Sequence, residues 1–267
     1  MSDDAVNDGG GAFDFSGKRV LVTGASHGIG RAVAEAFCRG GADVTMLSST
    51  PDILEAALHL EAKTGRPLHP VICDITDREA VRRTVGALPG LDVLVNNAGL
   101  ERITPMLESG DAVEQTFARI IEINVVGTYY VTREALRLMG PGSSILITSS
   151  VWGKSAAPDF AGYVTSKHAN IGFMRVLAKE LGPRGIRVNA VCPGWVRTRA
   201  ALRSLHEVAA RADVGEEAML DDILSVQALP GLMEPADVAS TYLFLASAYA
   251  ANVTGQAWNV DRGEVMA

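Results

Sequence analysis

The chain has 267 residues, 48% hydrophobic and 21% charged, with a formal net charge of -7. That length sits at the upper edge of one globular domain with a large core. The acidic balance, with no basic run, argues against non-specific nucleic-acid binding, and no apolar run reaches the length of a membrane span.

The three cysteines, Cys38, Cys73 and Cys192, are scattered without Cys-x-x-Cys spacing. They read as small buried residues of a reducing compartment. The first residues carry acids and three successive glycines instead of a basic, apolar leader. We expect a flexible tail over roughly residues 1–14, one domain over 15–267, a cytoplasmic location and no metal.

Residues 18–23 are a short β-branched run ending in glycine, a buried strand. The turn Thr23-Gly24-Ala25-Ser26-His27-Gly28-Ile29-Gly30 follows, then a helix with apolar Val33, Ala34, Ala36 and Phe37. Strand, glycine-rich turn and helix together form a phosphate site. Gly24 permits the tight turn, Gly28 and Gly30 let the backbone approach a pyrophosphate, and the helix N-terminus faces the anion. Residues 43–47 are a second strand. Thr50-Pro51-Asp52 offers a cap, a first-turn proline and an acid to the next helix. Residues 68–74 are a third strand ending at Asp74, and Thr76-Asp77-Arg78-Glu79 has capping-box spacing. Residues 91–99 form a fourth strand running into the turn Asn96-Asn97-Ala98-Gly99.

A long amphipathic helix is predicted over 113–139. Its interior holds Asn124 and Gly127, both poor helix formers. Asn124 is either an ordinary polar residue on a solvated face or a group, or local break, that serves the site. Residues 144–150 are a fifth strand ending in hydroxyls. The next helix carries Tyr163 and Lys167, runs to 181 and stops at Gly182-Pro183. Residues 186–192 are the sixth strand, closed by Pro193-Gly194. Residues 199–228 are helical in pattern with no strand and read as an inserted flap. A helix over 235–248 and a strand over 256–261 end the chain.

Strands alternate with helices, without repeat or linker. This predicts an α/β fold, a Rossmann-like doubly wound parallel sheet with helices on both faces. Ligands in such sheets bind beyond the C-terminal strand ends. The glycine turn, Asp74, residues 96–99, Ser150 and residues 193–198 all fall there. Tyr163 and Lys167, four apart, share a helix face about one turn apart. A phenol titrates near pH ~10, and a neighbouring ammonium lowers that value. The two are a candidate acid–base pair; a plain surface pair is the alternative.

In this order, and with 13 residues from Ser150 to Tyr163, the motifs resemble the classical short-chain dehydrogenase/reductases over about residues 16 to 263. The resemblance implies an NAD(P)(H)-dependent oxidoreductase interconverting a ketone and a secondary alcohol, on a sheet of seven strands, as a homotetramer or homodimer. It makes Tyr163 the proton donor or acceptor, and Ser150 the hydrogen-bond partner of the reacting oxygen. Lys167 would hold the ribose and tune Tyr163, and Asn124 would anchor a water linking Lys167 to solvent.

Around the cofactor the resemblance implies Gly24, Ser26, His27, Gly28, Ile29, Gly30, Ser48, Ser49, Asp74, Ile75, Asn97, Ala98, Gly99, Pro193, Gly194, Val196 and Thr198, with Tyr163 and Lys167. Asp74 would lie near the adenine, Ile29 under the nicotinamide half and Thr198 at the carboxamide. A plain strand-end cap competes for Asp74, and Ser149 competes with Ser150. Tyr129, Val131, Phe173 and Met174 are assigned to subunit contacts, against the alternative that they face the sheet. A silent nucleotide-binding protein and an epimerase or dehydratase are the competing functions.

An NAD-selective fold places an acid at the end of the second strand for the ribose 2′-hydroxyl. Here that position is Ser48, followed by Ser49 and Thr50. A 2′-phosphate is therefore admitted, and His27 adds charge when protonated, although neither 27 nor 49 is Arg or Lys. The expectation leans slightly to NADP(H).

Residues 257–261 and the Pro193-Gly194-Trp195-Val196 turn are similar to (R)-3-hydroxybutyrate dehydrogenases and aromatic polyketide ketoreductases. However, Glu101, Trp152 and Phe160 stand where the former grip a carboxylate, and Asp261-Arg262-Gly263 departs from Asp-Gly-Gly. An acid at 101 repels a carboxylate, so that substrate is not expected. Trp152, Phe160 and Trp195 instead predict a wall for an apolar, aromatic or cyclic substrate, closed by the flap, with Glu101 also on the substrate side; the alternative is that one or more of the three rings packs the core.

Overall fold

The computed structural model describes residues 13–108 and 110–266. Its strands are β1 (Arg19–Thr23), β2 (Asp43–Ser48), β3 (His69–Ile72), β4 (Val93–Asn96), β5 (Ser144–Thr148), β6 (Arg187–Pro193) and β7 (Ala257–Val260). All pair in parallel, in the order β3-β2-β1-β4-β5-β6-β7. The chain steps outward from β1 to β3, then crosses to the other side of β1 as β4. That reversal opens a crevice beyond the C-terminal ends of β1 and β4.

The helices are α1 (Gly28–Arg39), α2 (Asp52–Thr64), α3 (Arg78–Val85), α4 (Asp111–Ile121), α5 (Thr128–Ala135), α6 (Ala161–Leu181), α7 (Arg199–Ala212), α8 (Glu216–Ser225) and α9 (Pro235–Ala246). Successive strand side chains point to opposite faces, and both faces are covered. Val20, Val22, Val44, Met46 and Val95 meet Phe37 of α1, Ile53 of α2 and Tyr242 of α9. On the other face Leu21, Leu47, Leu94, Ile145 and Ile147 meet Val81 of α3, Val131 of α5 and Met174 of α6. Burial on two sides is why the strands read as continuous apolar runs. Each such Leu, Ile or Phe contributes roughly 1.5–3 kcal/mol.

Strand ends move by one to three residues from the sequence expectation. Other expectations are corrected outright. Thr50 does not cap α2: Pro51 holds the cap position, with no side-chain bond. Asp77, not Thr76, caps α3, its Oδ1 accepting from the amides of Glu79 and Ala80 at 3.0 Å each. The Thr76 hydroxyl instead donates to Asp74. The 113–139 helix begins at Asp111, ends at Ala135 and is broken in the middle by a π-helical turn, Glu122–Gly127. Val131 and Met174 are fully buried against the sheet, so they are core residues and not subunit contacts. Most of the expected flexible tail, residues 1–12, lies outside the described residues. Its last two residues are placed: Phe13 packs edge-to-face on Tyr249, and Asp14 accepts from the Ser16 amide.

The closest packing lies at the crevice. A Cβ on Gly30 would stand 2.3 Å from the Gly24 carbonyl oxygen and 2.4 Å from Asn97 Nδ2. Backbone on one side and a clamped amide on the other leave it nowhere to go. Gly30→Ala is expected to destabilise the protein by ~1–3 kcal/mol, the range for overpacking. Thermal unfolding checks this, and a Tm equal to wild type contradicts it.

Candidate active site

The crevice is built from β1 outward. Gly24 and Gly28 both have positive φ, +64° and +59°, which glycine adopts without strain. A Cβ on Gly24 would lie 2.7 Å from Ala98 Cα. Asn97 clamps this turn, its Nδ2 donating to the carbonyls of Thr23 and Gly24, both at 3.2 Å. The Thr23 hydroxyl takes the amides of Asn97 and Ala98 at 3.0 Å. Asn97 and Ala98 thus shape the cradle. No side chain caps α1 at His27, so its first amides face the crevice unpaired, the donor set a diphosphate requires. The residues present fit a dinucleotide.

At the end of β2, Ser48 and Ser26 are buried with hydroxyls 3.2 Å apart, while Ser49 is exposed. Burial and the nearby Arg199 cation push the His27 pKa down, against Asp52. The expectation that His27 lends positive charge is therefore corrected, because burial and the Arg199 cation at the start of α7 both disfavour its protonation. Asp74 closes its own turn, taking the amide and hydroxyl of Thr76 on Oδ1 and Arg119 on Oδ2 at 3.2 Å. Burial raises its pKa, but these hydrogen bonds and Arg119 outweigh that and hold it low. Asp74 thus closes the turn after β3 and keeps lone-pair sites free beside Arg119 on its outer oxygen. Ile75 is buried below it and packs against Gly127 of the π turn.

The reacting centre lies where β5 ends and α6 begins. Lys167 is almost fully buried, and its Nζ donates to the Thr148 carbonyl at 2.8 Å. It sits 5.3 Å from the centroid of the Tyr163 ring. The two serines divide their work. Ser149 Oγ donates to the Lys167 carbonyl at 2.9 Å, whereas Ser150 Oγ accepts from the Trp152 amide at 3.1 Å and acts on the Tyr163 phenol to lower its pKa. Asn124, in the π turn, accepts the Leu100 amide at 2.7 Å. It donates to the Leu100 carbonyl and to Ser166 Oγ, both at 2.9 Å. Its side chain therefore braces the loop after β4 against α6.

Burial lifts the Tyr163 phenol well above its ordinary range; Glu101 adds to this and Ser150 opposes it. Burial pushes Lys167 down to about 8. The expected lowering of Tyr163 by Lys167 is not met by the protein's own groups. Their desolvation is larger, and Nζ is turned to Thr148.

On the substrate side, Trp152 is half-buried, 4.8 Å from Phe160 and edge-on to Tyr163 at 6.1 Å. Phe160 is itself buried and backs Trp152. Trp195 is half-buried in the turn after β6, with no ring contact to that pair among the described residues. In that turn a Cβ on Gly194 would meet Asp261 and Glu264 at 2.8 Å, and Val196 bridges to Met233. Thr198 caps α7 through Ala201, its methyl 3.4 Å from the Cβ position of Gly28. Ile29 is half-buried beside it in chain order, on the apolar layer of α1.

The 199–228 segment holds two helices, of which α7 docks on the loop after β4 and α8 packs on α7. Ser204 bonds the Glu101 carboxyl, Arg203 Nη2 donates to the Glu101 carbonyl at 2.9 Å, and Arg211 pairs with Glu108 and Asp159. Arg119, Arg199, Arg203 and Ser204 are positions that sequence reasoning missed. Arg199 follows Thr198 directly, and that adjacency was the available signal.

A family model described as enoyl-(acyl carrier protein) reductase matches residues 24–264. The chain is a classical short-chain dehydrogenase/reductase. A 2,5-dichloro-2,5-cyclohexadiene-1,4-diol dehydrogenase of Sphingobium indicum is 34% identical over 257 residues, covering 94% of this chain and 98% of the relative. The L-sorbose reductase of Gluconobacter frateurii, solved with NADPH and L-sorbose, has a TM-score of 0.85 at 27% identity, covering 96% of this chain and 99% of that one. A Burkholderia cenocepacia short-chain dehydrogenase in complex with NADP has a TM-score of 0.81 at 31% identity, covering 93% and 98%. This short-chain dehydrogenase/reductase is thus an NAD(P)-dependent oxidoreductase acting on a CH–OH group.

The depressed Lys167 pKa has a consequence for stability. Between about 8 and its ordinary value of 10.5 the unfolded chain binds the proton and the folded one does not. Lys167 therefore makes stability rise with pH across that window, and its buried charge is a cost below it. Lys167→Met removes this term. The stability of the variant relative to wild type is expected to fall from pH 8 to pH 10.5, measured by urea unfolding at several pH values. A difference independent of pH contradicts the assignment.

Proposed function

We propose that Tyr163 is the general acid–base group and NADP(H) the preferred cofactor. The observation carrying this is the buried Lys167 ammonium, held on the Thr148 carbonyl 5.3 Å from the centroid of the Tyr163 ring. In reduction, Tyr163 gives its phenolic proton to the carbonyl oxygen while Ser150 donates to the same oxygen. The bound nicotinamide supplies the hydride, or accepts it in the reverse direction. With its pKa raised, Tyr163 stays protonated throughout neutral pH, the form reduction requires. Lys167 keeps positive charge below Tyr163 and reaches the ribose hydroxyls, and Asn124 holds the wall between Leu100 and Ser166. Asn124 also anchors a water that links Lys167 to solvent.

For the cofactor, the absence of an acid at Ser48 and the cation at Arg199 support a 2′-phosphate. The NADPH and NADP complexes of the two structural relatives support the same choice. Asp74 reads the adenine edge, Ile29 lies under the nicotinamide half and Thr198 faces the carboxamide. Trp152, backed by Phe160, forms the apolar substrate wall with Trp195, and Glu101 is a polar group on the same substrate side. The two-helix flap opens to exchange ligands. Unbridged buried cysteines support a cytoplasmic enzyme, and among the described residues no helix is long and apolar enough to cross a membrane. Tyr129 and Phe173, 6.2 Å apart beside exposed Val176, form the subunit contact of a homodimer or homotetramer.

Tyr163→Phe is expected to lose 10²–10⁴-fold or more in kcat, the scale of a positioned acid–base group, while binding NADPH as wild type does. Normal turnover by this variant would overturn the mechanism. The ratio of kcat/KM for NADPH over NADH is expected above one, and Ser48→Asp lowers it at least tenfold, ~1.4 kcal/mol. An unchanged ratio means position 48 does not discriminate.

A further inference from the structure

We infer that Glu101, Arg203 and Ser204 form a reader for a substrate hydroxyl, so that the enzyme selects uncharged hydroxylated ketones and rejects keto acids. This rests on the oxidoreductase reading of the site and adds the substrate class. Glu101 follows β4, while Arg203 and Ser204 come from α7. Glu101 lies two residues beyond Gly99, whose Cβ position is 3.6 Å from Lys167 Nζ, and next to Leu100, which Asn124 holds by amide and carbonyl, so it stands beside the reacting centre. Ser204 holds the Glu101 carboxyl, and the Glu101 backbone carbonyl takes Arg203 Nη2 at 2.9 Å and Arg102 Nη1 at 3.0 Å.

Two hydrogen-bonding capacities remain at this junction. A carboxylate has about four lone-pair sites, and Ser204 is the side-chain donor bonded to it. Arg203 Nε is buried with no hydrogen-bond partner among the described residues, and a buried donor left unmet is destabilising. An acceptor with spare sites and an orphaned donor thus sit together. A hydroxyl answers both, donating to Glu101 and accepting from Arg203 Nε. An unsubstituted ketone leaves Nε unpaired. A carboxylate answers Nε but meets the Glu101 charge at close range in a partly dry site. Sites that bond a substrate hydroxyl discriminate strongly against analogues lacking it, because their own polar groups are then left unpaired. Trp152, edge-on to Tyr163, offers the apolar face against which the carbon skeleton lies.

The test is a comparison of kcat/KM with NADPH for cyclohexanone, its ring-hydroxylated derivatives and oxocyclohexanecarboxylate. Ratios between substrates cancel any general loss of folded enzyme in a variant. Wild type is expected to favour its best hydroxylated ketone over cyclohexanone by at least tenfold, and cyclohexanone over the carboxylate by at least tenfold. Glu101→Gln should raise the carboxylate relative to cyclohexanone at least tenfold. Arg203→Met should reduce the hydroxyl preference to within about threefold, mainly through KM. Equal use of plain and hydroxylated rings by wild type overturns the reader, as does a Glu101→Gln variant that scales all three ketones by one factor. An enzyme that binds NADPH but reduces none of them overturns the activity assignment as well.

Discussion

A single charge kept out of water governs the reacting centre. The Lys167 ammonium is nearly inaccessible, and its one protein hydrogen bond is to the Thr148 carbonyl, the last residue of β5. Holding a cation there requires a rigid acceptor and tightly packed surroundings. The surroundings are built accordingly. Ser149 fixes the Lys167 backbone, and Gly153 sits so close that a Cβ would stand 2.4 Å from Ser149 Oγ and 2.9 Å from the Lys167 carbonyl. Gly99 leaves room on the other side, its Cβ position 3.6 Å from Nζ. The Thr148 hydroxyl, 2.6 Å from Tyr242, ties the same strand end to α9 on the opposite layer. The parallel sheet thus serves as a frame that carries one desolvated ammonium to the strand ends.

Around that frame the crevice is electrically divided. The side made by the glycine turn presents the first amides of α1, with the Arg199 cation acting on His27 from the start of α7. The side made by the loop after β4 and by α7 presents Glu101, with burial raising its pKa against Ser204, Arg203 and Arg102. Tyr163 lies between, with its proton held on. Such a division sorts the two ligands before any contact is made, because a polyanionic group is drawn to the amide-lined end.

Much of this was legible in the chain. Period-two burial on two faces gives uninterrupted apolar strands, and positive-φ glycines next to a strand mark the cradle, because both signals are local. What stayed hidden depends on distant partners. Thr76 and Asp77 offer the same cap chemistry, and Asp74 decides between them by taking the Thr76 hydroxyl. Asp74 in turn is met by Arg119, forty-five positions along, which in sequence is one more charge on an amphipathic helix. The direction of the Tyr163 pKa was misjudged because spacing reveals the neighbouring ammonium but not the burial that opposes it. Arg203 and Ser204 carry no motif; only the docking of α7 on Glu101 gives them a partner.

The π turn at Glu122–Gly127 is in effect one residue too many for the helix that contains it. It resets the rotational phase between α4 and α5. Taking one residue out would restore regular backbone pairing, yet it would swing the flanking faces about 100° relative to each other. Ile120 would turn from its core layer, or Val131 from its own, and Asn124 would leave Leu100 and Ser166. Chain length in this segment is therefore fixed as firmly as any side chain, and a deletion that a helix taken alone would welcome is one this fold cannot absorb.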